Sequence, residues 1–156
     1  MVPFEDFYRS EYGRVFGALY VATGSADLAQ DATQEAFQRA FARWRRLGEE
    51  QWAAGWVVTT ALNHSRRLAR RAKREPTSFL TETSLEGGEP EANRVDLVRS
   101  VRTLPRRQRE AIVLYYLLDL PIPAVAMLMD QTEGSVKAHL AHARRKLREA
   151  MVVADA

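Results

Sequence analysis

The residues best suited to chemistry in this chain are bases and aromatic rings on helical spacings, and the chemistry they suit is contact with a polyanion. From Thr132 to Arg148 the chain carries Lys137, His139, His142, Arg144, Arg145, Lys146 and Arg148 against a single acid, Glu133. Such a row can follow phosphates, while short side chains at the amino-terminal end of the helix meet base edges. Glu133, Ser135, Lys137, Ala138 and His139 hold that leading end. His142, Arg144 and Arg145 lie farther along, where charge serves phosphates or a flanking protein. Arg106, Arg107 and Arg109, near the start of the preceding helix, could hold the opposite backbone.

A second constellation joins Trp52, Trp56 and Asn63 to the run RRLARRAKR at 66–74, which has six basic residues and no acid. Bases can stack on the rings while Arg66, Arg67 and Arg70 follow the backbone, a surface for single-stranded DNA. Trp52 and Trp56 also suit a helix core. A third set, Asp27, Asp31, Gln34, Glu35 and Gln38, forms an acid-and-amide row of the kind that meets a basic protein surface, or simply faces solvent. No nucleophile–base pair or phosphate-cradling glycine loop is legible, so no enzyme and no cofactor is expected. There is no cysteine. His139 and His142 are one turn apart but lack a third ligand, so no metal is expected either.

The elements that must position these groups are all helical. Phe4, Phe7, Tyr8, Val15, Phe16 and Leu19 form one apolar stripe, predicting a helix over 4–22 that stops at Gly24. Ser25 suits the N-cap of a second helix, in which Leu28, Ala32, Ala36, Ala40, Phe41 and Trp44 face inward. A loop over 45–51 then leads to a third helix at 52–73. Segment 75–93 has two prolines, adjacent glycines and five glutamates without lysine or arginine, and reads as a flexible acidic linker. Beyond it, a helix through Val95, Leu97, Val98 and Val101 ends at Leu104-Pro105. Another follows over 105–118, with Ile112, Val113, Tyr116 and Leu117 inward. A short helix at 123–129, a turn at Asp130-Gln131 and a long helix capped by Thr132 complete a helix-turn-helix. Val136, Leu140, Ala143, Leu147 and Met151 supply the buried stripe of that last helix. The fold class is therefore all-α, with two small helical domains over 1–74 and 94–152.

Composition agrees. The chain has 156 residues, 46% hydrophobic and 28% charged, with a net charge of +3. No apolar run approaches the roughly 18 residues of a membrane span. Its first residues carry acids where a secretory signal needs bases, so a cytoplasmic protein without membrane insertion is expected.

LPRRQREAIVLYYLLDLPIPAVAMLMDQTEGSVKAHLAHARRKLR resembles region 4 of extracytoplasmic-function sigma factors, DLAQDATQEAFQRAFARW resembles their regions 2.1–2.2, and GWVVTTALNHSRRLARRAKR resembles regions 2.3–2.4. The resemblance implies a protein that joins RNA polymerase core and directs it to promoters. It places Asp27, Asp31, Gln34 and Glu35 on the β′ clamp helices, with the β subunit as a further contact. Trp52, Trp56, Asn63, Arg66, Arg67 and Arg70 fall in the −10 region, and the helix-turn-helix falls on the −35 element. Many members are held by an anti-sigma factor, which the resemblance makes an expected partner. The family commonly has glycine where Asp130 stands and arginines where His139 and His142 stand. The competing reading is a helix-turn-helix regulator that acts without polymerase, which leaves the first ninety residues unexplained.

Overall fold

A computed structural model of the chain describes residues 1–74 and 92–154; most of the expected linker lies outside the described residues. Helix α1 (Phe4–Thr23) ends where Gly24 turns left-handed, with φ 69° and its N–H donating to the Tyr20 carbonyl at 2.7 Å. A Cβ there would be strained by the positive φ and would also displace the end of the Arg102 side chain, 2.4 Å away. Ser25 caps α2 (Ala26–Ala42), its hydroxyl accepting from the Leu28 N–H at 3.2 Å, with Asp27 favourably placed in the first turn.

Val15, Ala18, Leu19 and Ala22 of α1 pack on Ala29, Ala32, Thr33, Ala36, Phe37 and Ala40 of α2, and both pack on Val57, Val58, Ala61 and Leu62 of α4 (Ala53–Arg74). The alanines let α2 approach its neighbours closely, and Phe37 fills the space left near the amino terminus. Phe4, Phe7, Tyr8 and Tyr12 surround its ring with centroids 5.0–6.5 Å away. Phe41, expected inside, is 66% exposed, touched by the Phe4 ring at the start of α1 with centroids 5.1 Å apart. The expected loop at 45–51 contains a single helical turn, α3 (Trp44–Leu47).

In the second half, α5 (Ala92–Thr103) begins inside the segment read as linker and is followed by α6 (Arg106–Ile112), a π-helical turn (Val113–Leu117), α7 (Ile122–Met129) and α8 (Glu133–Ala154). The helix expected over 105–118 changes pitch at Val113, shown by the Leu118 N–H donating to the Val113 carbonyl at 3.3 Å. The wider turn holds one more residue and rotates the face that follows. Leu114 and Leu118 are therefore buried where Tyr116 and Leu117 were expected, and those two are exposed. Val125, Met129, Val136, Leu140 and Ala143 complete this core, while Leu97 and Met151, also expected inside, face solvent.

The two halves are packed together. α5 and the π-helical turn lie against α1, and α7 lies against α4. Arg14 donates to the Leu118 carbonyl at 2.8 Å and Arg109 to the Ala22 carbonyl at 3.3 Å. Apolar residues of both halves join one cluster. Periodicity within each half could not show this, since it reports only which face of a helix is apolar.

Candidate nucleic-acid interface

The helix-turn-helix is built by three local devices. Pro121 and Pro123 stop the preceding turn and start α7, Pro123 lying within its first two positions. Asp130 adopts the left-handed conformation, φ 54° and ψ 50°, and ends α7 with its N–H donating to the Met127 carbonyl at 3.2 Å. Thr132 then caps α8, its hydroxyl oxygen accepting from the Ser135 N–H at 3.1 Å.

This presents Glu133, Ser135, Lys137 and Ala138 at an exposed leading end, with His142 and Arg145 exposed farther along. His139 is turned back instead, its ring nitrogen 2.9 Å from the Gln131 side-chain oxygen, bracing the turn. Arg144 is also committed. Its guanidinium lies 5.8 and 5.5 Å from the ring centres of Tyr115 and Tyr116 and donates to the Tyr116 hydroxyl. It anchors α8 to the π-helical turn. Among the described residues no group of three or more potential metal ligands occurs.

Trp52, just before α4, and Trp56 within it are half-buried and line an open cleft of about 610 Å³. Its other walls include Arg43, Arg45, Arg46, Glu50 and Met127. The Arg43 guanidinium lies 5.8 Å from the centre of the Trp56 ring. The cleft offers an aromatic wall, guanidinium donors and one carboxylate, a combination that fits a nucleobase with its adjoining phosphate. Arg43, Arg45 and Arg46 were not singled out from sequence, although RWRR at 43–46, which ends six residues before Trp52, was the available signal.

Farther along α4, Asn63, Arg67 and Arg70 are exposed. Arg66 folds back, donating to Asn63 and pairing with Glu110 of α6 at 2.5 Å. Glu110 is buried and also receives Arg106 at 3.0 Å and Arg107 at 3.1 Å. Burial pulls the Arg66 guanidinium below its ordinary value and Glu110 opposes that shift by stabilising the cation. Arg109 is lowered for the same first reason, with Arg102 adding to the effect. Arg109 thus turns towards α1, while Arg106 and Arg107 pair with Glu110 and keep 48% and 39% of their side-chain surface exposed.

The acid-and-amide row is largely exposed. Asp27, Asp31, Gln34 and Gln38 are exposed along α2, while Glu35 is half-buried and paired with Arg39 at 3.1 Å.

The profile of Sigma-70 region 2 matches residues 7–75 and that of Sigma-70 region 4 matches residues 94–147. No curated protein sequence gives a match. The fold is similar to that of the sigma factor RpoE from Bartonella quintana, solved in complex with the anti-sigma factor NepR, with a TM-score of 0.77 at 19% identity over 96% of this chain and 97% of that one. A chain of the RsbN–BldN complex aligns at 24% identity over 94% of this chain and 90% of that one, with a TM-score of 0.37. Two region profiles in sequence order, each on one half of an all-helical sigma-factor fold, place the chain in the sigma-70 family, as a sigma factor of the extracytoplasmic-function type.

Proposed function

We propose that this sigma factor binds RNA polymerase core through the Asp27–Gln38 row of α2, receives the opened −10 strand on α4 and its tryptophan cleft, and reads the −35 element with the leading end of α8. The observation that carries the reading is α4 itself, one rod with an aromatic, arginine-lined cleft at one end and exposed Arg67 and Arg70 at the other. That surface suits an unpaired strand better than a duplex, because stacking needs bases that are free to leave their neighbours. A duplex-binding regulator has no use for it. Core polymerase provides the setting in which a strand is opened, which places the protein in the cytoplasm.

The test is capture of purified core polymerase by the chain, followed by run-off transcription on genomic fragments. Specific start sites are expected, and absence of core binding would overturn the assignment. The similar RpoE structure is a complex with an anti-sigma factor, which supports a partner of that type for this chain as well.

For the −35 surface, S135A/K137A should lower affinity for the preferred duplex by about 10- to 100-fold, as loss of one or two base contacts does. Unrelated duplex should lose less than about threefold in the same competition assay. An equal loss on both would assign these residues to the phosphates.

A further inference from the structure

The tryptophan cleft carries more charge than one stacked base requires. Arg43, Arg45 and Arg46 line it together with a single acid, Glu50, all four exposed, and among the described residues none of them takes part in a salt bridge. Elsewhere arginine and carboxylate find each other, as Arg39 does Glu35 and Arg66 does Glu110. Here both signs border a common space without neutralising one another.

Short-range geometry holds these groups in place. The turn α3 carries Arg45 and Arg46, and the Glu50 N–H donates to the Leu47 carbonyl at 3.0 Å, which fixes the backbone beneath the carboxylate. The Trp56 N–H donates to the Trp52 carbonyl at 3.0 Å, so the two indoles stand one helical turn apart on the same side. Met127 of α7 adds a polarisable thioether at the edge. The first turn of α4 contains no acid, and its dipole adds to the positive field of the arginines. At about 610 Å³ the cleft has the size of a small-molecule site.

Each wall selects one part of a ligand. The indole faces take a flat ring, and Arg43 lies 5.8 Å from the centre of the Trp56 ring. Three guanidinium groups at one aromatic site suit the clustered charge of a nucleoside diphosphate better than the single charge of a phosphodiester. Glu50 decides the base. An ionised carboxylate only accepts hydrogen bonds, and it does so through two oxygens side by side. On its Watson–Crick edge guanine alone sets two donors next to each other, the ring N1–H and the N2 amino group. Adenine and cytosine place a ring acceptor beside their amino group, and uracil flanks its N–H with two carbonyls, so each turns an acceptor on the carboxylate.

We infer that the cleft binds free guanine nucleotides, with Glu50 selecting the base, Trp56 stacking on it, and Arg45 and Arg46 holding the phosphates. The ligand is a small molecule in solution, and its binding needs neither polymerase nor promoter. A regulatory consequence follows, which rests on the strand-capture reading given above. Nucleotide and −10 strand use the same rings and exclude each other, so the apparent affinity for the strand falls as guanine nucleotide rises past its dissociation constant.

GDP is the probe, because polymerase does not consume it. Titrated into the free full-length chain, it should quench the emission of Trp52 and Trp56. By calorimetry it should bind about tenfold or more tightly than ADP, CDP or UDP, as loss of one hydrogen bond to a charged group implies. E50Q offers one acceptor in place of two, so it should lose that preference while binding ADP no more weakly than the parent chain does. R45A/R46A should weaken all four diphosphates together by about tenfold or more. Both variants alter exposed side chains, and circular dichroism checks that they fold. Equal affinity for the four diphosphates, or an E50Q variant that still prefers GDP, overturns the assignment. So does capture of a guanine-containing single strand with no binding of GDP at about 1 mM, which leaves the cleft to the strand alone. GDP should also displace a single-stranded −10 oligonucleotide, and simultaneous binding of both would refute the shared site. Run-off transcription with the holoenzyme reads the sigma function separately. Normal initiation by a chain that ignores GDP overturns the nucleotide site and leaves that function intact.

Discussion

Replacing Asp27 and Asp31 together by lysine should reduce core polymerase binding by about 1,000-fold or more while leaving the protein folded. Both carboxylates are exposed and one turn apart on α2, in line with Gln34 and Gln38. The double change alters the charge of this row by four units. Against a basic partner surface, like charges in place of opposite ones cost several kcal/mol, and about 4 kcal/mol corresponds to a thousandfold. The cost to folding is much smaller. Asp27 sits in the first turn of α2, where a cation is disfavoured by about 0.3–1 kcal/mol, and lysine is a good helix former at Asp31. Holoenzyme assembly measured by gel filtration, beside a thermal melt of the variant, reads both expectations. A second comparison sharpens the assignment. Glu35 is paired with Arg39, so E35Q should weaken core binding by less than about fivefold, well below D31K alone. Normal assembly by the double lysine variant would move the docking surface elsewhere.

The parts of this molecule legible in its sequence are those decided within a few residues. Gly24 and Ser25 mark the junction of α1 and α2 because one supplies a left-handed turn and the other a cap. Asp130 and Thr132 do the same between α7 and α8, which is why the helix-turn-helix could be placed almost to the residue. What depends on partners far along the chain was not legible. Phe37 and Phe41 are four residues apart on α2, yet Phe4, Phe7, Tyr8 and Tyr12 of α1 surround the first, while of these rings only that of Phe4 packs against the second, which is left exposed. The π-helical turn redirects Tyr116 and Leu117 outward, a change of pitch that a 3.6-residue period does not register. Arg66 and Glu110 are separated by 44 residues, and neither carries a local sign that they will pair. Arg43, Arg45 and Arg46 lie within about a dozen residues of Trp52 and Trp56 and were legible as RWRR, but that they share a cleft with the two rings is decided by the fold.

The tryptophan cleft carries the second large effect. W56A should lower promoter opening by about 10- to 100-fold, since stacking of a base on an aromatic ring contributes about 1–3 kcal/mol. The residue is half-buried and borders the core, so part of any loss could come from packing. Two comparisons separate these contributions. W56F keeps a stacking face and a similar volume and should recover most of the activity, whereas W56L fills space without a π face and should not. Core binding, which we assign to α2, should remain within about twofold for all three. Template design then distinguishes capture of a base from the melting that exposes it. On a promoter with an artificial bubble at the −10 element, a residue that only drives melting becomes dispensable, while one that holds the freed base still matters. The geometry favours holding, because Arg43 lies over the Trp56 ring at 5.8 Å and Arg45 and Arg46 share the same wall, placing cations where the adjoining phosphates of a stacked base would run. A defect in W56A that persists on the bubble template is therefore expected, and it should deepen when Arg43 is also replaced by alanine. Full recovery on the bubble would remove the cleft from strand capture and assign it to the opening step alone.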